Sequence, residues 1–317
     1  MRHLFVMDPL HRLNVSGDST YVTMRECSDR GHKVHWCEPS GVYGIDGRAR
    51  AVCTPVRTVA EAPFFHQSPT EDVDLGDFDV VWMRKDPPFD MAYIFTTYLL
   101  DMVPAHTMVI NGPAGLKLFN EKMWAARFPE LHPSTLITND MARLRERIES
   151  FPGRAVIKPW DGNGGRGVLI TGKGDRNLGS MLELLTGGGV DYILCQPFLE
   201  GVEDGDKRIL IYDGEPVSAM LRVPTSKDFR GNMHVGAGVS PCELDERDLA
   251  ICAALAPELK KWEQVFVGID VIDGLLTEIN VTSPTGIREL NQLYGSALEV
   301  DLVDCVLNVL NRHRENA

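Results

Sequence analysis

The chain has 317 residues, 44% hydrophobic and 24% charged, which is ordinary for a soluble globular protein and enough for two or three separate cores. Forty-five acidic against 32 basic residues leave a net charge of −13, a field that repels polyphosphate backbones and argues against nucleic acid or an anionic membrane as the main partner. The seven cysteines form no C-x-x-C pair and are odd in number, so neither a disulfide framework nor a zinc site is expected, and they read as reduced thiols, mostly in the core.

The N-terminal apolar run is short and stops at Asp8 and Pro9, too brief for a signal peptide or membrane anchor, so a cytoplasmic location is expected. "HLFVMD" (3 to 8) reads as a strand, "DSTYVTMRECSDRG" (18 to 31) as a helix with Gly31 at its stop, and "KVHWCE" (33 to 38) as the next strand. "FDVVWMRKDPPFD" (78 to 90) and "TMVIN" (107 to 111) add two strands with a helix between them that starts near Asp90, so roughly the first 112 residues predict a doubly wound α/β layer. Gly112 and Pro113 break that pattern. Beyond them, "ILIYDGEPVSAML" (209 to 221) and "FVGIDVIDGLLTEINV" (266 to 281) each hold an Asp-Gly turn between β-prone runs, the mark of a hairpin, so antiparallel sheet is expected in the C-terminal part. Helices are expected at about 243 to 263 and 298 to 312.

Three stretches carry chemistry. In "LLTEINVTSPT" (275 to 285), Glu278 and Asn280 fall on one face of a strand, and buried polar groups need partners. A hard cation such as Mg²⁺ takes oxygen ligands of this kind; a salt bridge for Glu278 is the plainer alternative. Asp270 on the preceding strand joins them only in one register. A two-residue turn at Asp273 and Gly274 pairs Asp270 with Thr277, whereas a three-residue loop, 273 to 275, pairs it with Glu278. In "AVIKPWDGNGGRGV" (155 to 168), Lys158 leads into a turn with Gly162, Gly164, Gly165 and Gly167, which reads as a phosphate-covering loop or as a ligand-free hairpin turn. It matches neither the Walker A pattern nor the dinucleotide fingerprint. Arg208, Arg222 and Arg230 lie on or beside one hairpin and suit bidentate binding of phosphate or carboxylate, while 225 to 238 reads as a long loop.

Taken together, "MRKDPPFD" (83 to 90), "NEK" (120 to 122), "IKPWDGNGG" (157 to 165), "DGDKR" (204 to 208), "YDGEPV" (212 to 217), "RGN" (230 to 232), "FVGIDVI" (266 to 272) and "LTEINVTSPTGIRE" (276 to 289) resemble the bacterial glutathione synthetases, ATP-grasp ligases. The resemblance spans nearly the whole chain. It implies an α/β fold: a doubly wound α/β domain (1–118), an ATP-grasp lid (119–200) and a catalytic domain with antiparallel sheet (201–317). It further implies that γ-glutamylcysteine is joined to glycine with ATP and Mg²⁺, or Mn²⁺, through an acyl phosphate, by a homo-oligomer, dimer or tetramer.

Carried over by position, Lys122 and Lys158 meet the ATP phosphates under the loop from Gly162 to Gly167. Gln196, Phe198 and Leu199 line the adenine pocket, and Asp206 meets the ribose. Asp270, Glu278 and Asn280 hold the metal, and Arg208 and Arg222 sit on the transferring phosphoryl group. Arg84, Asp86, Arg230, Ser283, Thr285 and Arg288 shape the dipeptide and acceptor sites. The chain departs from the family pattern at "PTSKDFRGN", at Gly236 to Gly238 and at Gly286, all by the acceptor and dipeptide pockets. An ATP-grasp ligase for another amine, and a nucleotide-binding sensor without catalysis, are the alternative readings.

Overall fold

The structure, a computed structural model, describes residues 1–161, 164–224 and 238–316. Gly162, Lys227 and Arg230, and all of the 225 to 238 loop except its last residue, lie outside the described residues.

The first sheet has eight strands: β1 (Arg2–Met7), β2 (Lys33–Cys37), β3 (Val42–Ile45), β4 (Arg48–Thr58), β5 (Phe65–Gln67), β6 (Glu71–Asp74), β7 (Val80–Arg84) and β8 (Met108–Ile110). Its parallel centre runs β2-β1-β7-β8, with Phe5 opposite Trp36 on one side and Trp82 on the other. A central strand covered on both faces must be apolar throughout, and β1 is buried from His3 to Met7. Helix α1 (Ser19–Asp29) starts where the Asp18 carboxylate accepts from the Tyr21 amide at 2.6 Å, and α2 (Met91–Leu100) starts at Asp90 in the same way.

The antiparallel excursion over residues 42–74 was not expected. In β4 the inward positions are Ala49, Ala51 and Cys53, small residues between arginines and a valine, so the period-2 signal is weak although the burial alternates.

After α3 (Pro113–Leu118) a four-stranded antiparallel sheet forms from β9 (Leu136–Thr138), β10 (Ala155–Pro159), β11 (Leu169–Thr171) and β12 (Ile193–Pro197), in the order β11-β10-β12-β9. Helices α4 (Met141–Ser150) and α5 (Leu178–Thr186) cover it, and Leu144, Ile148, Leu178, Leu182, Ile157 and Ile193 make a core of its own.

The third sheet, β15-β14-β13-β16-β17, comprises β13 (Asp206–Tyr212), β14 (Glu215–Val223), β15 (Gly238–Pro241), β16 (Phe266–Ile272) and β17 (Leu275–Asn280), and α6 (Glu246–Lys261), α7 (Ile287–Tyr294) and α8 (Leu298–Asn316) follow the chain around it. It shares its cores with the first sheet: Leu4, Val6 and Val81 belong to one buried cluster with Ile209, Val267 and Ile279. Asn111 locks the two together, its amide donating to the Phe266 and Val281 carbonyls at 2.7 Å while its oxygen accepts from the Phe266 amide at 2.9 Å. Both amide hydrogens and the amide oxygen are thereby matched in a buried place, where leaving them unmatched is costly.

Cys27, Cys37, Cys53, Cys195 and Cys252 are buried thiols, as expected, and Cys242 and Cys305 are partly covered. His3, Cys27 and His32 gather on the first sheet, but Trp82 Nε1 donates to His3 Nδ1 at 3.2 Å. That places the His3 proton on Nε2, which donates to His32 Nδ1 at 3.0 Å, so the cluster is a hydrogen-bond chain rather than a set of free lone pairs for a metal. No helix among the described residues is long and apolar enough to cross a membrane.

Candidate active site

The β16–β17 hairpin settles the register question. Asp273 (φ 52°) and Gly274 (φ 68°) alone form the turn, with Ile272 opposite Leu275 and Val271 opposite Leu276. By turn parity Asp270 should then face Thr277. Instead a β-bulge takes up Thr277, and Asp270 pairs directly with Glu278. The condition that a longer loop is needed is therefore corrected: the extra residue lies in the strand, where the Thr277 hydroxyl donates to the Asp270 carbonyl at 3.1 Å.

Asp270 is 2% exposed and is held by two arginines, Arg208 on the adjacent strand β13 and Arg222 on β14, one strand further. Arg208 binds it through both faces of the fork, Nε to Oδ1 at 2.5 Å and Nη2 to Oδ2 at 3.0 Å. Arg222, also 2% exposed, reaches Asp270 Oδ1 at 2.9 Å and Asp206 Oδ2 at 2.6 Å with the same nitrogen. Asn280 Nδ2 donates to Asp270 Oδ2 at 3.3 Å. Four donors thus occupy the four lone-pair directions of one carboxylate. Burial opposes its charge, but the two guanidinium groups win and hold Asp270 well below the usual carboxylate range. Asp206 goes the other way: burial, helped by the repulsion of Asp270, outweighs Arg222 and pushes it up to about 7. Asp206 Oδ1 and Arg222 Nε remain buried without a partner among the described residues, which marks polar capacity that the protein itself does not use.

Beside this cluster lies an open cleft between the second and third sheets. Lys158, Gly165, Gln196, Phe198, Leu199, Asp206 and Glu278 all line it, so seven positions scattered over 121 residues of sequence come together. Lys158 is 7% exposed and has no hydrogen bond or ion pair among the described residues; burial lowers its pKa. An ammonium so placed is poised for an anion entering the cleft. Lys122 is buried with Glu121 and lies 3.4 Å from Glu278. Their charges outweigh burial and raise its pKa, so it stays protonated. In the glycine turn, Gly164, Gly165 and Gly167 all have positive φ (60°, 74° and 71°), a backbone that side-chain-bearing residues resist.

The residues expected at the dipeptide site are less unified. Arg84 is buried, its Nε donating to Thr20 Oγ1 at 3.0 Å and its Nη2 to the Pro284 carbonyl at 2.9 Å, while its plane lies over the Phe266 ring. Its guanidinium is thus turned to the protein and holds the 283 to 285 turn. The Thr285 carbonyl in turn accepts from Arg208 at 3.3 Å. Ser283, Thr285 and Arg288 are partly exposed along this turn and the start of α7, and Asp86 is exposed on the loop after β7. Arg288 opens onto a second hollow, with Arg25, Glu289, Asn291 and Glu299.

Sequence reasoning passed over three groups that the fold brings to the site. Glu121, Thr135 and His132 stand next to Lys122 and Gln196, and nothing in their spacing signals it. Glu121 is pushed up to about 7 by burial and by Glu278, against the pull of Lys122.

Residues 1–117 match the family model described as the prokaryotic glutathione synthetase N-terminal domain, and residues 121–295 match that of the prokaryotic glutathione synthetase ATP-grasp domain. Glutathione synthetases of Thermosynechococcus vestitus (42% identical, covering 93% of this chain and 96% of the relative), Agrobacterium fabrum (40%; 95% and 94%) and Salmonella typhi (38%; 95% and 96%) are similar over nearly their whole length. Among solved structures, a D-cycloserine synthetase superposes with a TM-score of 0.69 at 15% identity, covering 97% of this chain and 99% of that one. D-alanine–D-alanine ligase of Bacillus anthracis, complexed with ATP, does so with a TM-score of 0.57 at 14% identity, covering 100% and 99%; both share the fold. By the match of both domain models across the chain and the identity to these relatives, the protein belongs to the prokaryotic glutathione synthetase family and has its ATP-grasp fold.

Proposed function

We propose that the chain joins γ-glutamylcysteine to glycine at the expense of ATP, releasing ADP and phosphate. The observation that carries this is the Lys158 ammonium, without a partner among the described residues, in a cleft next to the Arg208–Arg222–Asp270 cluster: positive charge adjoins guanidinium groups that are fixed in place. The cysteinyl carboxylate of the dipeptide attacks the terminal phosphorus of ATP, and ADP leaves. The glycine amine, having lost its proton, then attacks the acyl carbon and expels phosphate. No protein nucleophile is needed; positioning and charge neutralisation are. Lys158 and Lys122 bind the phosphates, Arg208 and Arg222 take the charge that accumulates on the transferring group, and Gly164, Gly165 and Gly167 let backbone approach it.

Glu278, which lines the cleft, and the side-chain oxygen of Asn280 on the same strand face fit a hard divalent cation, and Asp270, paired with Glu278 across the hairpin, would complete the oxygen set by exchanging one of its arginine hydrogen bonds for the metal. They are the residues that would hold Mg²⁺ or Mn²⁺, which supplies further charge neutralisation at the phosphates. Arg84 and Arg288, with Ser283 and Thr285, are assigned to the dipeptide end, and Gln196, Phe198, Leu199 and Asp206 to the nucleoside. The division 1–118, 119–200 and 201–317, a cytoplasmic location and a homo-oligomeric state complete the proposal.

The test is ADP release measured with glycine, alanine and serine as acceptors, with and without γ-glutamylcysteine. Release that requires the dipeptide and prefers glycine is expected, because a small pocket penalises added side-chain volume. Equal rates with bulkier acceptors, or release indifferent to glycine, would assign the chain to another amine.

A further inference from the structure

The amide of Gln196, 2% exposed, forms part of the cleft wall, and its hydrogen bonds fix which way round it sits. Thr135 Oγ1 donates to the Pro133 carbonyl at 2.7 Å and so has only lone pairs left for its other neighbours. It accepts one hydrogen of Gln196 Nε2 at 2.7 Å. His132 Nδ1, 3.2 Å from the same hydroxyl oxygen, must then carry a hydrogen. That leaves His132 Nε2 as a bare lone pair facing the second hydrogen of Gln196 Nε2 at 3.4 Å. Burial, and the charge on Lys158, press the ring's pKa down to about 4, so at neutral pH the imidazole is neutral and this lone pair is present. Reversing the amide would set its oxygen against the His132 lone pair and leave the two hydrogens without these acceptors.

We infer that His132 and Thr135 are positioning residues that lock Gln196 with both amide hydrogens directed into the protein, so that its oxygen is the group the cleft offers to a nucleobase and selects a purine with a 6-amino group over one with a 6-oxo group. This rests on the reading of the cleft as the nucleotide site. An oxygen accepts from an exocyclic amine and repels an exocyclic carbonyl, and a buried polar group left facing its like costs more than a lost contact. The selecting feature is therefore made by two residues that need not touch the nucleotide.

The experiment compares ATP with ITP, which differs at position 6, in the wild type and in His132→Leu and Thr135→Val. Equilibrium binding of each nucleotide is measured with Mg²⁺ and no other substrate, and turnover with γ-glutamylcysteine and glycine. The wild type should prefer ATP by at least about 10-fold, and each variant should lose most of that preference by gaining affinity for ITP as the amide becomes free to turn. The maximal rate with ATP should stay within about three-fold, since no phosphate-binding group is changed. His132→Gln, whose amide oxygen can replace the Nε2 lone pair, should restore part of the preference. A wild type that binds both nucleotides alike, or variants in which both affinities fall together and their ratio holds, would overturn the inference. Retained ATP preference in binding without any turnover would instead overturn the proposed reaction and leave this inference standing.

Discussion

Replacing Glu278 by Gln removes one negative charge at nearly constant volume, and the structure lets its two effects be separated. The carboxylate is 23% exposed and its ion pair is with Lys122 at 3.4 Å. Lys122 keeps Glu121, so no buried charge is stranded and the folding cost should be about 1 kcal/mol, a melting shift of roughly 2–4 °C. Catalysis should suffer far more. If Glu278 is one of two carboxylates holding the divalent cation, its loss should lower turnover by at least about 100-fold, some 2.7 kcal/mol of barrier, with partial recovery at high Mg²⁺. Asp270→Asn is the contrast: it strips two buried guanidinium groups of their shared partner, so a folding cost of about 3–5 kcal/mol should accompany the lost activity. The assay is ADP release against Mg²⁺ concentration, run beside thermal melts of both variants. Wild-type turnover of Glu278→Gln at ordinary Mg²⁺ would refute the metal assignment, and an Asp270→Asn melt like that of the wild type would refute the energetic reading of the arginine cluster.

Valine at both Gly164 and Gly165 should raise the apparent KM for ATP by at least about 10-fold, because a β-branched residue resists the positive φ these positions hold (60° and 74°); an unchanged KM would remove the loop from the phosphate site. For Glu121 the sign is set by a pKa raised from 4.5 to about 7 in the folded state. The fold prefers this carboxyl protonated, so its contribution to stability falls as pH rises from about 4.5 to about 7. Glu121→Gln should therefore match the wild type near pH 4.5 and exceed it by about 3 kcal/mol above pH 7 in urea unfolding; a pH-independent difference would show that burial does not perturb this group.

The sequence by itself determined the elements whose cause is local. Asp18 and Asp90 announced helix starts because a cap needs only the next turn, and the Asp-Gly pairs announced hairpins because the turn demands positive φ at both residues. The same motifs, read as a set, named the family and with it the residues that the cleft collects. Only the tertiary structure decided the rest. The β4 excursion was hidden because small inward residues weaken the alternation, and it closes only by pairing with distant strands. Whether Asp270 meets Glu278 was undecidable from turn length, since a bulge at Thr277 restores by backbone irregularity what parity forbids. The saturation of Asp270 by Arg208, Arg222 and Asn280, the engagement of Arg84 by Thr20 and Pro284, and the His132–Thr135–Gln196 network share one property. Each joins residues far apart in the chain through atoms whose positions depend on how sheets pack, and sequence spacing carries no record of that packing.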